Sequence, residues 1–283
     1  MRDAEGDVRS ETEGLPLPGP ARKVFRGLRR LAGLHGGRRD GKWAVDQQQL
    51  LFAHPYPRDR VTWSFGEFMT HLGVFRFSQD EVRAPGTPTP SPTLSLPGGN
   101  LPALVEWLQR KYKPVWRRIL NAMRDIVPGL EEIRTEVLPS KTLGLFLAEK
   151  GFGRAWRADE VSDGTMHVLA VLAATADPQV SALVLEEPET SLHPWVIREV
   201  GRALRELSKR KTVIVTTQSP VVIDLLHPSE TWIVSRRNGQ TRIRRLTEID
   251  PRIEEDGRQG RVGLSEYLDA GLVPRAVPGG EDT

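Results

Sequence analysis

Ala182-Leu183-Val184-Leu185-Glu186-Glu187-Pro188-Glu189-Thr190-Ser191-Leu192-His193-Pro194 decides the fold. Its first four residues are an apolar run of strand length, and two adjacent carboxylates close it. A continuous apolar strand of this kind belongs in a parallel sheet covered on both faces. Pro188 stiffens the exit, and Pro194 suits the first turn of a helix expected over 194–207. Ligands of open α/β sheets bind at the carboxyl ends of the strands, so Glu186 and Glu187 face the expected site. On an extended chain adjacent side chains point to opposite sides. One carboxylate can then hold Mg²⁺ through water while the other polarises an attacking water. The plainer alternative is an acidic strand–helix turn with Glu189 near a helix N-terminus.

Around this stretch, strand and helix signals alternate. A helix is expected over 166–176, a β-branched strand over 212–216, a short helix over 220–226 and a strand over 231–235. That alternation predicts an α/β fold with a parallel sheet. Residues 240–245 read as an edge strand joined through the Asn238-Gly239 turn. Further upstream, 101–126 is helical in pattern with a break or kink at Pro114, and 130–137 and 142–149 read as two strands joined by a Pro-Ser turn. Ala84 to Gly99 (APGTPTPSPTLSLPGG) reads as a Pro-rich linker. The expected organisation is a disordered tail over 1–20, a partial N-terminal and helical region over 21–83, a linker over 84–99, a helical insertion over 100–129, a C-terminal α/β lobe over 130–272 and a disordered tail over 273–283. Within the second segment, 21–40 reads as a short basic amphipathic helix.

Composition narrows the function. The chain has 283 residues with Lys+Arg 40 and Asp+Glu 37, a net charge of +3, which excludes a histone-like or polybasic protein. With Cys 0 there are no disulfides, thiolate zinc sites or cysteine nucleophiles. No apolar run approaches the roughly 20 residues of a membrane span, and the acidic, polar start is unlike a signal peptide. A soluble cytoplasmic protein without membrane contact is expected.

Two more segments carry chemistry. Val161-Ser162-Asp163-Gly164-Thr165 precedes an apolar helix, and a Gly-containing loop there offers N–H groups to a phosphate; an ordinary N-cap by Ser162 or Asp163 is the alternative. Thr212 to Pro220 is a strand running into a polar turn in which Gln218 can reach a terminal phosphate, or in which a Ser/Thr turn simply caps the next helix. His193 and His167 lack any metal-ligand spacing and are expected in a loop or the core.

In order and spacing these segments resemble the C-terminal half of an ABC-type P-loop ATPase, in the group of AAA-family ATPases related to OLD, RecF and SMC-like proteins. The resemblance spans roughly residues 70–272. It implies a P-loop NTPase-like fold that uses ATP and Mg²⁺. Ser162, Asp163, Gly164 and Thr165 resemble the signature loop, Glu186 the Mg²⁺-associated acid, and Glu187 the catalytic glutamate. Ser191 and His193 lie where the D-loop falls. Gln218 stands at the switch position where many relatives carry His, and Gln cannot become cationic.

The family's G-x-x-x-x-G-K-[ST] loop is not matched. The nearest run, Gly36-Gly37-Arg38-Arg39-Asp40-Gly41-Lys42-Trp43, puts Trp43 where the Mg²⁺-ligating hydroxyl belongs and follows a helix-like stretch rather than a strand. The resemblance thus implies an ATPase lacking its front lobe, whether through truncation, a mis-set start or reliance on a partner. The expected role is ATP-dependent dimerisation, as a homodimer or with a complete ATPase, linked to DNA repair or phage defence. One alternative is an inactive adaptor that donates its signature loop to such a partner. Another is a nucleic-acid-binding module using Arg236, Arg237, Arg242, Arg244 and Arg245.

Overall fold

A computed structural model describes residues 38–39, 42–43, 66, 68–237, 239–253 and 263–269. The chain divides into two units, 1–71 and 72–283. In the first unit Arg38–Arg39 pairs antiparallel with Lys42–Trp43. The helix expected over 21–40 therefore does not extend to Arg38 and Arg39, and its remainder lies outside the described residues, as do the expected tails. Of the near match to a phosphate loop at 36–43, this antiparallel pair is what is described; its other residues lie outside the described residues.

The second unit is built on two sheets. Strand β1 (Leu72–Phe75) leads into the short helix α1 (Gln79–Arg83). Helices α2 (Leu101–Lys111) and α3 (Lys113–Ile126) follow. They part at Tyr112 (φ −125°, ψ 50°), and Pro114 falls in the first turn of α3, where its missing N–H costs nothing. The pair β2 (Leu130–Val137) and β3 (Leu143–Glu149) is extended antiparallel by β4 (Ala155–Arg157), a strand too short for the sequence to announce.

Helix α4 (Asp163–Ala176) is the heart of the core: every residue from Met166 to Thr175 is buried. A helix apolar on all sides is stable only when enclosed. Next come β5 (Ala182–Glu186), α5 (Pro194–Ser208), β6 (Thr212–Thr216) and α6 (Pro220–Ile223). Strands β1, β5 and β6 form a parallel sheet in the order β1-β5-β6. Leu183 and Leu185 on the central strand are 0% and 1% exposed.

The stretch 84–99 has almost no regular structure, yet it packs. Gly86 exchanges two 2.8 Å backbone hydrogen bonds with Leu143, and the Arg76 N–H donates to the Leu96 carbonyl at 2.9 Å. Gly98, at φ +91°, lies so close to Phe77 that a Cβ would sit 2.6 Å from its ring. Only glycine meets both demands.

Strands β7 (Trp232–Arg237) and β8 (Gln240–Arg245) form the hairpin expected around Gly239, whose φ is +78°. Contrary to the expected alternation, among the described residues they make a separate two-stranded ribbon and do not join the parallel sheet. The ribbon is anchored by a small apolar cluster of Leu246, Ile253 and Tyr267, against which Ile233 packs. Helices α7 (Leu246–Ile249) and α8 (Leu264–Asp269) carry Leu246 and Tyr267 of that cluster. No described helix is long and apolar enough to cross a membrane.

Candidate functional site

Strand β5 delivers the two carboxylates to the carboxyl end of the parallel sheet. Glu186 is the last strand residue and is exposed. Glu187 leaves the extended conformation altogether, at φ +47°. The opposite-sides rule therefore does not apply to the pair, because it holds only while both residues are extended. A non-glycine residue at positive φ is costly and is kept when its surroundings enforce it. Here the Glu187 N–H donates to the Thr216 carbonyl at 2.8 Å, so the turn is stitched to the end of β6. The Gln218 amide points at the same turn, its Nε2 3.5 Å from Glu187 Oε1. Two widely spaced sequence candidates are thereby brought together.

Glu189 takes a part that the sequence did not disclose. It does not flank a helix N-terminus, since α5 begins only at Pro194. Its Oε1 accepts a hydrogen bond from the Thr217 hydroxyl, while its Oε2 is buried with no partner among the described residues. Thr217 Oγ1 in turn accepts from the Ser219 N–H at 2.9 Å, closing a Ser/Thr turn. Glu189 thus fastens the acidic turn to the polar end of β6.

The loop 162–165 forms the N-terminus of α4. Ser162 is its cap: Oγ accepts from the Thr165 N–H at 3.2 Å and lies 2.8 Å from Thr165 Oγ1. The capping alternative is thus realised, leaving the following amides at a helix end with the positive partial charge that favours anions. Gly164 sits beneath the acidic turn, where a Cβ would stand 3.0 Å from the Ser191 carbonyl oxygen. Ser191 has φ +63° and its Oγ accepts from Gln79 Nε2 at 2.9 Å. His193 caps α5, with Nδ1 3.5 Å from the Trp195 N–H.

Arg83 on α1 is the other residue sequence reasoning missed. Its Nε donates to the Ala158 carbonyl at 3.0 Å, and its two terminal nitrogens bind the Val161 carbonyl and the Asp163 carboxylate. Asp163 is therefore committed to holding the loop. An arginine in a polar stretch gives no pattern from which this could be read. Helix α1 accordingly touches both the loop 162–165, through Arg83, and the turn at Ser191, through Gln79.

His167 lies in the core, as expected. Its Nε2 donates to the Pro188 carbonyl at 3.0 Å, and its ring meets Phe77 edge-on at 5.6 Å. Burial pushes the imidazole below its usual 6.5, and the Pro188 hydrogen bond only partly opposes this. In the folded state His167 therefore binds fewer protons than in the unfolded chain. Its contribution to stability is lost as pH falls below about 6.5. Thermal melts of the wild type should lose stability from pH 7 to pH 5.5, and His167→Gln should flatten that segment of the profile.

Among the described residues no three His, Asp or Glu side chains converge to cage a metal. The carboxylates of Glu186 and Glu187 are nonetheless hard oxygen donors. They suit Mg²⁺ that takes one or two carboxylates and completes its shell with phosphate and water.

Residues 74–224 match the family described as "AAA domain, putative AbiEii toxin, Type IV TA system". No curated protein matches the chain. Among solved structures, one similar chain is described as "Structural biochemistry of ATP-driven dimerization and DNA stimulated activation of SMC ATPases". It is 19% identical, the match covers 54% of this chain and 97% of that one, and the TM-score is 0.41. An Smc head domain with an extended coiled coil, bound to the C-terminal domain of ScpA and derived from Pyrococcus furiosus, is 19% identical over 54% of this chain and 40% of that chain (TM-score 0.42). The SMC head domain from Thermotoga maritima is 20% identical over 50% of each chain (TM-score 0.36).

Proposed function

Because the chain belongs to this AAA domain family, with an AAA-type, P-loop NTPase-like domain, we propose that it acts in ATP-linked dimerisation at a composite nucleotide site. The observation that carries this reading is the meeting of Glu187 and Gln218 at the carboxyl edge of the parallel sheet. Each side chain then has a task. Glu186 holds Mg²⁺, which when bound screens phosphate charge. Glu187 accepts a proton from the attacking water and orients it, and Gln218 donates to a phosphate oxygen. Ser162, Gly164 and Thr165 present a capped helix end to phosphate, with Asp163 fixed by Arg83. Ser191 and His193 carry the turn that links this loop to the acidic strand end.

The test is phosphate release by the full chain with Mg²⁺ and ATP. Glu187→Gln should lower the rate about 100-fold or more, the scale of losing one transition-state group. An unchanged rate in that variant overturns the assignment.

A second reading is favoured by Trp43 and by the pairing of Arg38–Arg39 with Lys42–Trp43. In it the chain supplies only its loop 162–165 and acidic turn, while a complete ATPase grips the nucleotide. That reading expects no phosphate release from the wild type, together with ATP-dependent association with a P-loop-bearing relative. DNA repair and phage defence belong to the same proposal as its biological setting. The Arg-rich ribbon as a DNA contact predicts binding that weakens steeply with salt.

A further inference from the structure

Helix α6 continues directly from the turn 217–219, yet burial of its own residues does not fix it: none of Pro220–Ile223 is fully buried. It is a single turn. The Ile223 N–H donates to the Ser219 carbonyl at 3.0 Å, and the Asp224 N–H to the Pro220 carbonyl at 2.9 Å. A displacement of Asp224 therefore passes straight to Ser219. The Ser219 N–H in turn donates to Thr217 Oγ1, whose hydroxyl binds Glu189. Gln218 lies between these two anchored residues. Its 3.5 Å approach to Glu187 is at the outer limit of a hydrogen bond, so a small displacement makes or breaks it.

Two supports meet the far end of α6. One is α5. Arg205 Nη2 donates to the Leu225 carbonyl at 2.5 Å, and Leu225 lies so close to Gly201 that a Cβ there would stand 2.4 Å from Leu225 Cδ1. The other is α8. The Asp224 carboxylate accepts the Ser265 N–H at 2.8 Å, and a Cβ on Gly263 would stand 3.0 Å from Asp224 Oδ1. An acceptor that takes an amide of a helix's first turn satisfies a group the helix itself leaves open. Asp224 thereby ties the start of α8 to the end of α6.

One turn further on, α8 is tied to the root of the ribbon. Tyr267 is 8% exposed, and its hydroxyl donates to Asp250 Oδ2 at 2.6 Å. Asp250 closes α7 and is itself buried. Hydrogen bonds from Arg252 and Tyr267 hold its carboxyl down to about 2, so it stays an ionised acceptor at neutral pH. Leu264 and Leu268 pack on the same cluster as Ile233 of β7. Helix α8 therefore spans from the end of α6 to the base of the ribbon.

We propose that α8 is a clip that sets the position of Gln218 against Glu187, with Asp224 and Tyr267 as the positioning residues at its two attachments. This rests on the reading of Gln218 as the donor to a phosphate oxygen. Neither positioning residue touches the reacting atoms. Both act by placing the turn 217–219, so they govern turnover rather than the grip on nucleotide.

The experiment uses the full chain and two readouts, amide hydrogen exchange and phosphate release. Asp224→Ala removes the acceptor, whereas Asp224→Asn keeps an oxygen that accepts. In Asp224→Ala, exchange should quicken at 218–224 as well as at 265–267, while β2 and β3 stay protected. Its kcat should fall about tenfold or more with KM little changed, the scale of a reacting group misplaced from a distance. Asp224→Asn should restore both readouts. Tyr267→Phe keeps the ring and should loosen the same two segments; added to Asp224→Ala it should change little more, because the two residues hold one element. Quickened exchange confined to 263–269 overturns the proposal. So does an Asp224→Asn chain as impaired as Asp224→Ala, or an unchanged kcat in a chain that hydrolyses ATP. A wild type that releases no phosphate tells against the reading of Gln218 itself, and exchange at 218–224 then decides the clip alone.

Discussion

Leu183→Ala should lower stability by about 3–4 kcal/mol, the usual cost of a Leu-to-Ala cavity in a rigid core. Leu183 is fully buried at the centre of β5, paired in register with Gly73 on β1 and Val213 on β6. Glycine on one side supplies no side chain able to collapse into the space. For a domain of this size each kcal/mol moves the melting temperature by about 2–4 °C. A fall of roughly 10 °C is therefore expected by calorimetry. Leu183→Met preserves volume and should cost less than about 1.5 kcal/mol. Equal effects from the two variants would show that the strand is not enclosed as described.

Arg83→Met should cost about 2–3 kcal/mol. The guanidinium side chain is 18% exposed and binds two carbonyls and one carboxylate, all ahead of or within the first turn of α4. Hydrogen bonds with a charged partner contribute about 1.5–3 kcal/mol each. The Asp163 side chain is 44% exposed, so solvent screens that pair and the total stays below the sum. Methionine keeps an apolar stem and removes the fork. Hydrogen exchange should then quicken at the amides of 158–166 while the amides of β2 and β3 stay protected. Arg83→Lys should recover only part of the loss, because an ammonium cannot reach three acceptors in one plane. Full recovery with lysine would mean that charge alone holds the loop.

Much of the architecture was legible before any coordinates. The apolar run ending at Glu186, the all-apolar helix following Ser162 and the β-branched strand ending at Thr216 have periods and lengths that admit few alternatives. Local chemistry also placed the Gly239 turn and the proline at the start of α5. The misreadings came where local signals were weak or were overridden. Strand β4 is three residues long and exists because β3 offers it an edge. The proline-rich stretch 84–99 looks like a linker by composition, but its backbone groups find partners in β3 and in the chain after β1. Strand β7 has the pattern of a sheet member and instead, among the described residues, pairs with β8 alone.

For the candidate site the division is sharper. Sequence by itself determined which residue types stand at the strand ends and helix start: Glu186, Glu187, Gln218 and the loop 162–165. Those follow from motif order, and motif order is a property of the chain. Tertiary structure alone decided that Glu187 turns to a positive φ and that Gln218 approaches it. It likewise decided that Glu189 binds Thr217 and that Arg83, about 80 residues before Asp163, clamps the loop. The physical reason is range. Strand and helix signals arise between residues a few positions apart, where backbone sterics and periodicity act. Hydrogen bonds between side chains distant in sequence depend on how the sheet and helices pack, and no local pattern encodes that.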